Sequence, residues 1–373
     1  MITRRDFLAS GAAFLLQAGA DRHPDLIVKS ESPADFETPV SLLDRSWITP
    51  NDIHFVRSHL QTPRVSLDTW RLIIDGEVER PQSLTLQDLS RYPRVEQVVT
   101  LECSGNGRAF HDPPVAGIQW EKGAVGTARW SGVRLADVLK DAGVNRRGQH
   151  LIADGADSPI ASVPDFIRSI PLEKALHPDT MIATEMNGAP LPPNHGFPVR
   201  LIVPGWEGAA STKWLMHLRV SDREFDGFFV QSAYRIPTRY VAPGEAVNPA
   251  DTVPYTELQV KSIVTAPLDG APGRVGSTIE LRGFAWAGEA EIASVEVSTD
   301  LGRAWMPATL GSDRARYAWR RWSFPWRPDR PGSYVAMCRA TDTRGHTQPI
   351  VAQWNPSGYL WNVIDKVRID VRP

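Results

Sequence analysis

Cysteine is scarce in this chain: Cys103 and Cys338 are the two cysteines among 373 residues. At most one disulfide can form, so no disulfide scaffold is available and an apolar core must carry the fold. A zinc site of the usual kind is disfavoured as well, because neither cysteine has a second one at ligand spacing and the histidines form no compact pair. There is no Cys-x-x-Cys-His run, so no covalently attached haem is expected in this chain. Neither a phosphate-binding P-loop nor a dinucleotide Gly-x-Gly-x-x-Gly fingerprint opens a helix. An excess of one charge is also missing. Lys and Arg number 41 against 43 Asp and Glu, a net charge of −2, and nucleic-acid binding needs a basic field that this chain does not supply. Past the N-terminus, no segment approaches the roughly 20 apolar residues of a membrane-spanning helix, so no membrane anchor is expected.

Proline and tryptophan are plentiful, at 31 and 13 residues. Proline lacks the N–H that helix interiors use, which favours a loop-rich, β-rich architecture. The length and the 42% apolar content suffice for two domains with cores of their own. The chain opens on Thr3-Arg4-Arg5-Asp6-Phe7-Leu8, a short apolar run to Leu16 and Ala18-Gly19-Ala20. Paired arginines, a short apolar region and an Ala-x-Ala site predict a twin-arginine export signal over residues 1–20, and hence a periplasmic protein.

Residues 21–50 are polar and proline-containing and read as an extended arm. Residues 51–250 mix short β-rich runs (residues 70–76, 95–103 and 199–203) with short helices. Leu135, Val138, Leu139 and Ala142 fall at i, i+3, i+4, i+7 before Gly143, which predicts a helix over 133–142. A second helix is expected over 85–92, opened by Thr85 and stopped by Pro93. Residues 236–256 form a Pro/Gly/Ala/Asn-rich connector. From 251 to 373 the pattern is strands only, at 257–264, 278–285, 293–299, 317–324 and 333–341, with turns at Asp300-Leu301-Gly302 and Asp342-Thr343-Arg344-Gly345. That spacing predicts an immunoglobulin-like β-sandwich. The fold expected is thus α+β followed by all-β.

The densest chemical signal is Leu101-Glu102-Cys103-Ser104-Gly105-Asn106-Gly107-Arg108. A β-run delivers a cysteine to a glycine-rich loop, where backbone N–H groups can approach an anion. Arg108, five residues on, would favour thiolate over thiol, and a thiolate suits a thiophilic redox metal. Taken alone, Cys103 also fits a small core residue, half of a disulfide with Cys338, or the nucleophile of a Cys–His hydrolase with His59 or His195. Cys338, mid-strand in Val335-Ala336-Met337-Cys338-Arg339, reads as a core thiol. Arg57 and Arg200 alone fit surface ion pairs, Trp120 and Tyr234 fit core aromatics, Lys213 a solvated cation and His195 a turn residue.

The segment around Cys103 resembles the molybdenum-ligand motif of the sulfite oxidase family of molybdopterin oxidoreductases, in its bacterial periplasmic sulfite dehydrogenase type. Further stretches resemble the family in the same order: Phe55-Val56-Arg57-Ser58-His59-Leu60, Gly117-Ile118-Gln119-Trp120, residues 126–133, Glu185-Met186-Asn187-Gly188 through Arg200, Lys213-Trp214-Leu215, and Gly227 through Tyr234. The resemblance covers residues 40–373. It implies a molybdopterin-binding domain over 51–250 and a dimerisation domain over 251–373. It implies Cys103 as the sulfur ligand of a molybdenum–molybdopterin cofactor, with Arg57, Arg108 and Tyr234 lining the oxyanion pocket, Trp120 as its wall, and His59, His195, Arg200 and Lys213 holding the pterin and its phosphate. Planar guanidinium forks suit such anions. The activity implied is oxidation of sulfite to sulfate in a homodimer. Because no haem segment is present, electrons would pass to a separate periplasmic c-type cytochrome. Two arginines of the vertebrate pattern are missing: Gly107 follows Asn106, and Ser357 stands in Trp354-Asn355-Pro356-Ser357-Gly358. This keeps a sulfane-sulfur dehydrogenase or an oxyanion reductase open on the same cofactor. A cofactor-free β-sandwich binding module is the alternative of a different class.

Overall fold

The computed structural model describes residues 23–373; the expected export signal at 1–20 lies outside them. Among the described residues no helix is long and apolar enough to cross a membrane.

The segment read as an arm is paired into the body of the protein. Strands β1 (Ile27–Ser30) and β2 (Asp35–Glu37) form an antiparallel sheet with β3 (Val56–Arg57), and Asp35 lies opposite Arg57. The first domain continues with β4 (Leu72–Gly76) and β5 (Gln82–Leu84). Next come β6 (Arg94–Glu102) and β7 (Val125–Arg134), which pair antiparallel from Arg94 opposite Val133 to Glu102 opposite Val125. This long ladder fixes where the chain leaves the sheet, and it leaves at Cys103. β7 is also paired to β10 (Met181–Met186), which pairs in turn with β12 (Arg200–Ile202). A second sheet runs β5-β4-β13-β8-β9, with β8 at His150–Gly155, β9 at Arg168–Pro171 and β13 at Leu215–Ser221. Its β4–β13 pair is parallel, so this domain is not built from simple hairpins.

The helix predicted over 133–142 spans Leu135–Ala142, with Gly143 left-handed at its C-terminus. Leu135, Val138, Leu139 and Ala142 are buried, as their spacing requires, against Leu72, Ile74, Leu201 and Leu218. The shorter helix covers Leu86–Leu89, where Thr85 and Asp88 form a reciprocal capping box.

The second domain holds two sheets around one core. One runs through β16 (Lys261–Ala266), β18 (Ile279–Trp286) and β22 (Arg320–Trp326); the other runs through β19 (Ile292–Ser298), β23 (Gly332–Asp342) and β24 (Asp365–Arg372). Val264, Leu281, Val297, Trp322, Cys338 and Ile369 meet between them. In β24, Val367, Ile369 and Val371 are buried and alternate with exposed residues, the signature of a strand with one wet face. The connector is partly structured: β14 (Arg235–Pro237) pairs with β15 (Thr252–Pro254).

The domains share a buried cluster of Leu43, Val125, Leu258, Ile263, Phe284, Trp286 and Trp319. Thr100 of β6 donates its N–H to the Tyr317 carbonyl at 2.9 Å, and its hydroxyl accepts the Trp319 N–H at 2.8 Å. The second domain therefore touches the strand that presents Cys103. Leu139→Ala should cost about 2–5 kcal/mol of folding stability, read by denaturant unfolding of the isolated protein, because the side chain is fully buried and leaves a cavity.

Candidate functional site

Beyond Glu102 the chain turns sharply. The Cys103 N–H donates to the Ala124 carbonyl and its own carbonyl accepts from Asn106 N–H, both at 2.9 Å. The sulfur faces a cavity of about 730 Å³, part of it open to solvent. Its wall includes Arg57, His59, Cys103, His195, Arg200, Lys213 and Tyr234, seven of the nine residues singled out in the sequence. Six segments supply them: β3 and the residues that follow it, the loop after β6, the turn Pro193–His195, β12, the chain leading into β13, and the chain following the short helix Phe228–Gln231. Both cysteines are free thiols, and Cys338 accepts the Ser262 hydroxyl inside the sandwich.

Two of the expected wall residues stand behind it. Arg108 donates Nη1 to the Ile118 carbonyl at 2.9 Å, and Nε and Nη2 to the Ser357 carbonyl at 3.1 and 3.0 Å. Its guanidinium is occupied by backbone and does not line the cavity. Gly105 is required for this arrangement, since a Cβ there would lie 2.6 Å from that guanidinium. The glycine makes room for an arginine rather than for an anion. Gly107 is left-handed (φ +97°), and a Cβ there would strike the Trp361 ring at 2.3 Å. Trp120 is fully buried beside Leu101, Ala124 and Trp130 and supports the loop from the core side.

The electrostatics of Cys103 also differ from the expectation. Burial pushes its thiol above the ordinary value, and Arg57 opposes that more strongly than Arg108. A charge five residues away in sequence therefore does not by itself create the thiolate.

Three positive side chains face the cavity. Arg57 donates Nη1 to Asp35 at 3.1 Å and to the Ser58 carbonyl. Arg200 donates to the carbonyls of His195 at 3.0 Å and Ser211 at 2.9 Å, while its Nε has no partner. Lys213 donates to Ser58 Oγ at 2.7 Å and the Asn194 carbonyl at 3.0 Å. Among the described residues neither Arg200 nor Lys213 has a carboxylate within ion-pair distance. Burial brings Arg200 down to about 9. Burial, then the charge of Arg200, brings Lys213 down to about 7. Burial and the surrounding cations hold His59 and His195 well below the ordinary histidine value, so both are neutral.

Tyr234 and His59 share a hydrogen bond of 3.0 Å. Tyr234 has φ +56° and stacks on Tyr359, while the Arg168 guanidinium lies 4.4 Å from its ring centroid. Burial raises the phenol well above its usual range. His59 is stacked on Phe166 with centroids 4.3 Å apart. Ser58, Ser104, Asp157, Asn194, Phe166 and Ser211, among others, also line the cavity, and the sequence reading assigns them no chemical role. Ser58 and Asn194 do sit beside His59 and His195, so proximity to a named residue was the one available signal.

Desolvated cations without carboxylate partners need an anion. A thiol, neutral imidazoles and unpaired N–H groups around one cavity form the donor set of an anionic cofactor with a soft metal. Residues 59–229 match the oxidoreductase molybdopterin-binding domain, and residues 253–372 match the molybdenum-cofactor oxidoreductase dimerisation domain. The chain belongs to the sulfite oxidase family. It is 38% identical to sulfite oxidase of Gallus gallus over 363 residues, covering 91% of this chain and 76% of that protein. It is 37% identical to the mitochondrial enzyme of Homo sapiens, covering 94% of this chain and 67% of that protein. Its fold superposes on the sulfane dehydrogenase SoxCD from Paracoccus pantotrophus with a TM-score of 0.80 at 29% identity, covering 94% and 90% of the two chains. The protein is a molybdenum-dependent oxidoreductase with a molybdenum–molybdopterin cofactor, and the reading as a cofactor-free binding module is set aside.

In cofactor-free protein Lys213 should titrate at about 7 when folded against an ordinary 10.5. Between these values the unfolded chain holds the extra proton, so this lysine makes stability rise with pH across that window. Thermal unfolding should show the wild type gaining on Lys213→Met from pH 7 to pH 10. A pH-independent difference would mean that Lys213 is not desolvated.

Proposed function

We propose that this family member oxidises sulfite to sulfate in the periplasm, as a homodimer, and passes single electrons to a separate c-type cytochrome. The observation that carries the substrate reading is Arg57. It lies beside Cys103 with one nitrogen held by buried Asp35, and among the described residues its Nε and Nη2 make no hydrogen bond, so they can meet a small oxyanion. His59, His195, Arg200 and Lys213 are the residues that would hold the pterin and its phosphate, and Cys103 would bind the metal. The bound group supplies the two-electron oxidation and oxygen-atom transfer.

The protein's own residues supply orientation and field. Arg57 would fix the anion and offset charge developing on its oxygens. The proton between Tyr234 and His59 stays within that pair, because the phenol is a very weak acid here and the imidazole a very weak base. In the His59 tautomer that donates from Nε2, the Tyr234 hydroxyl is free to donate to a substrate oxygen. Arg108 and Trp120 would act on substrate only indirectly, through the loop they support.

Carrier-bound sulfane sulfur is the second reading. The withdrawal of Arg108 onto the Ser357 carbonyl favours it, since Arg57 is then the guanidinium left beside the sulfur ligand, and so does the close superposition on a sulfane dehydrogenase. The reading of residues 251–373 as an immunoglobulin-like sandwich is supported by their two facing sheets.

Assay of the holoenzyme with free sulfite and with a protein-bound persulfide, following reduction of a c-type cytochrome, separates the two. Sulfite should reduce the cytochrome, and Arg57→Gln should raise the KM for sulfite at least about tenfold, the loss of one charge-assisted hydrogen bond of about 1.5–3 kcal/mol. Turnover with the persulfide alone would transfer the activity to the second reading.

A further inference from the structure

Both flanks of Cys103 are tied to buried carboxylates, and one of those ties belongs to the second domain. Glu102, immediately before the cysteine, is 5% exposed. Its Oε1 accepts from Lys261 Nζ at 2.8 Å and from Asn106 Nδ2 at 2.9 Å, and its Oε2 accepts from Trp286 Nε1 at 2.8 Å. Lys261, the first residue of β16, is also 5% exposed. Its ammonium donates in addition to the Asn106 carbonyl at 3.2 Å. A single cation of the second domain therefore grips the residue before the cysteine and the residue three beyond it. Asn106 is fixed in turn by its Oδ1, which accepts the Ala124 N–H at 3.1 Å. On the other flank the tie stays within the first domain: Ser104 Oγ donates to Glu207 Oε2 at 2.6 Å, and Arg168 Nη2 donates to Glu207 Oε1 at 3.1 Å.

We propose that Lys261 is a positioning residue for the metal-binding thiol, so that the second domain sets the orientation of Cys103 through Lys261, Glu102 and Asn106 in addition to any role in dimerisation. The inference rests on Cys103 being the molybdenum ligand. Its physical basis is the behaviour of buried ion pairs. Removing the ammonium cuts the bridge from Glu102 Oε1 to the Asn106 carbonyl whether or not residue 102 is charged, and a carboxylate left behind must in addition admit water, take up a proton or turn away. Each of these moves residue 102 or loosens residue 106, and the cysteine lies between them. The pair Lys174–Glu289 provides a contrast. It also joins the two domains, with Nζ to Oε1 at 2.6 Å, but it makes no contact with the cysteine loop.

The test compares wild-type holoenzyme with Lys261→Met, the charge-neutral double variant Glu102→Gln/Lys261→Met, and Lys174→Met, using the visible sulfur-to-molybdenum charge-transfer band, molybdenum content and steady-state kinetics with sulfite. Both Lys261 variants should shift or weaken the band. They should also lower kcat at least tenfold, with KM changed less than threefold. Lys174→Met should lower the thermal midpoint while leaving band and kcat within twofold of wild type. The double variant leaves no unpaired buried charge and keeps the test decisive if Lys261→Met fails to fold. A double variant with wild-type band, kcat and metal content would overturn the proposal. A wild-type band that persists in Cys103→Ser would instead overturn the ligand assignment beneath it.

Discussion

Positive charge buried without a carboxylate partner is the constraint on which the site depends. Arg200 and Lys213 donate to carbonyl and hydroxyl oxygens and lie over the rings of Trp130 and Trp214, with no carboxylate in ion-pair contact among the described residues, and desolvation brings both far below their ordinary basicity. A protein interior tolerates such groups when a ligand supplies the compensating charge. The anionic pterin cofactor, in the proposed seat at this cavity, would meet that requirement and would account for the neutral imidazoles and N–H donors that converge there. The free protein is poised against its own stability at this point, a pattern common to preorganised functional sites.

The rest of the architecture serves to bring one sulfur to that field. The β6–β7 ladder runs without a break to Glu102 and ends there, so register alone determines where Cys103 emerges. Its turn is secured from several directions: Arg108 reaches over Gly105 to the late chain at Ser357, Trp120 packs from the core, and Glu102 and Ser104 lock the flanks. Arg57 is set differently, by strand pairing opposite Asp35 in a sheet made largely from residues 27–37. Cys103 and Arg57, the proposed ligand and the proposed anion-binding arginine, thus come from separate frameworks that meet at the cavity.

Much of this was legible in the sequence, unevenly and for physical reasons. The amphipathic spacing of Leu135, Val138, Leu139 and Ala142 and the stop at Gly143 gave the longest helix among the described residues almost to the residue. Local alternation marked the sandwich strands; the strand Asp365–Arg372 carries the same pattern but follows a long irregular stretch and was passed over. Residues 21–50 read as an arm because their strands are short, and the partner strand β3 is only two residues long. Arg57, His59, Cys103, His195, Arg200, Lys213 and Tyr234 were found through resemblance, not through spacing. Arg108 is assigned to the pocket wall by the resemblance, whereas the glycine turn directs it to backbone carbonyls. The Glu102–Lys261 tie spans 159 positions, a separation at which no local pattern pairs two charges.

The most direct test of the central claim is molybdenum K-edge absorption spectroscopy on wild-type holoenzyme and Cys103→Ser. The account predicts one more sulfur neighbour at the metal in the wild type than in the variant. An equal number of sulfur neighbours in the two proteins would contradict it.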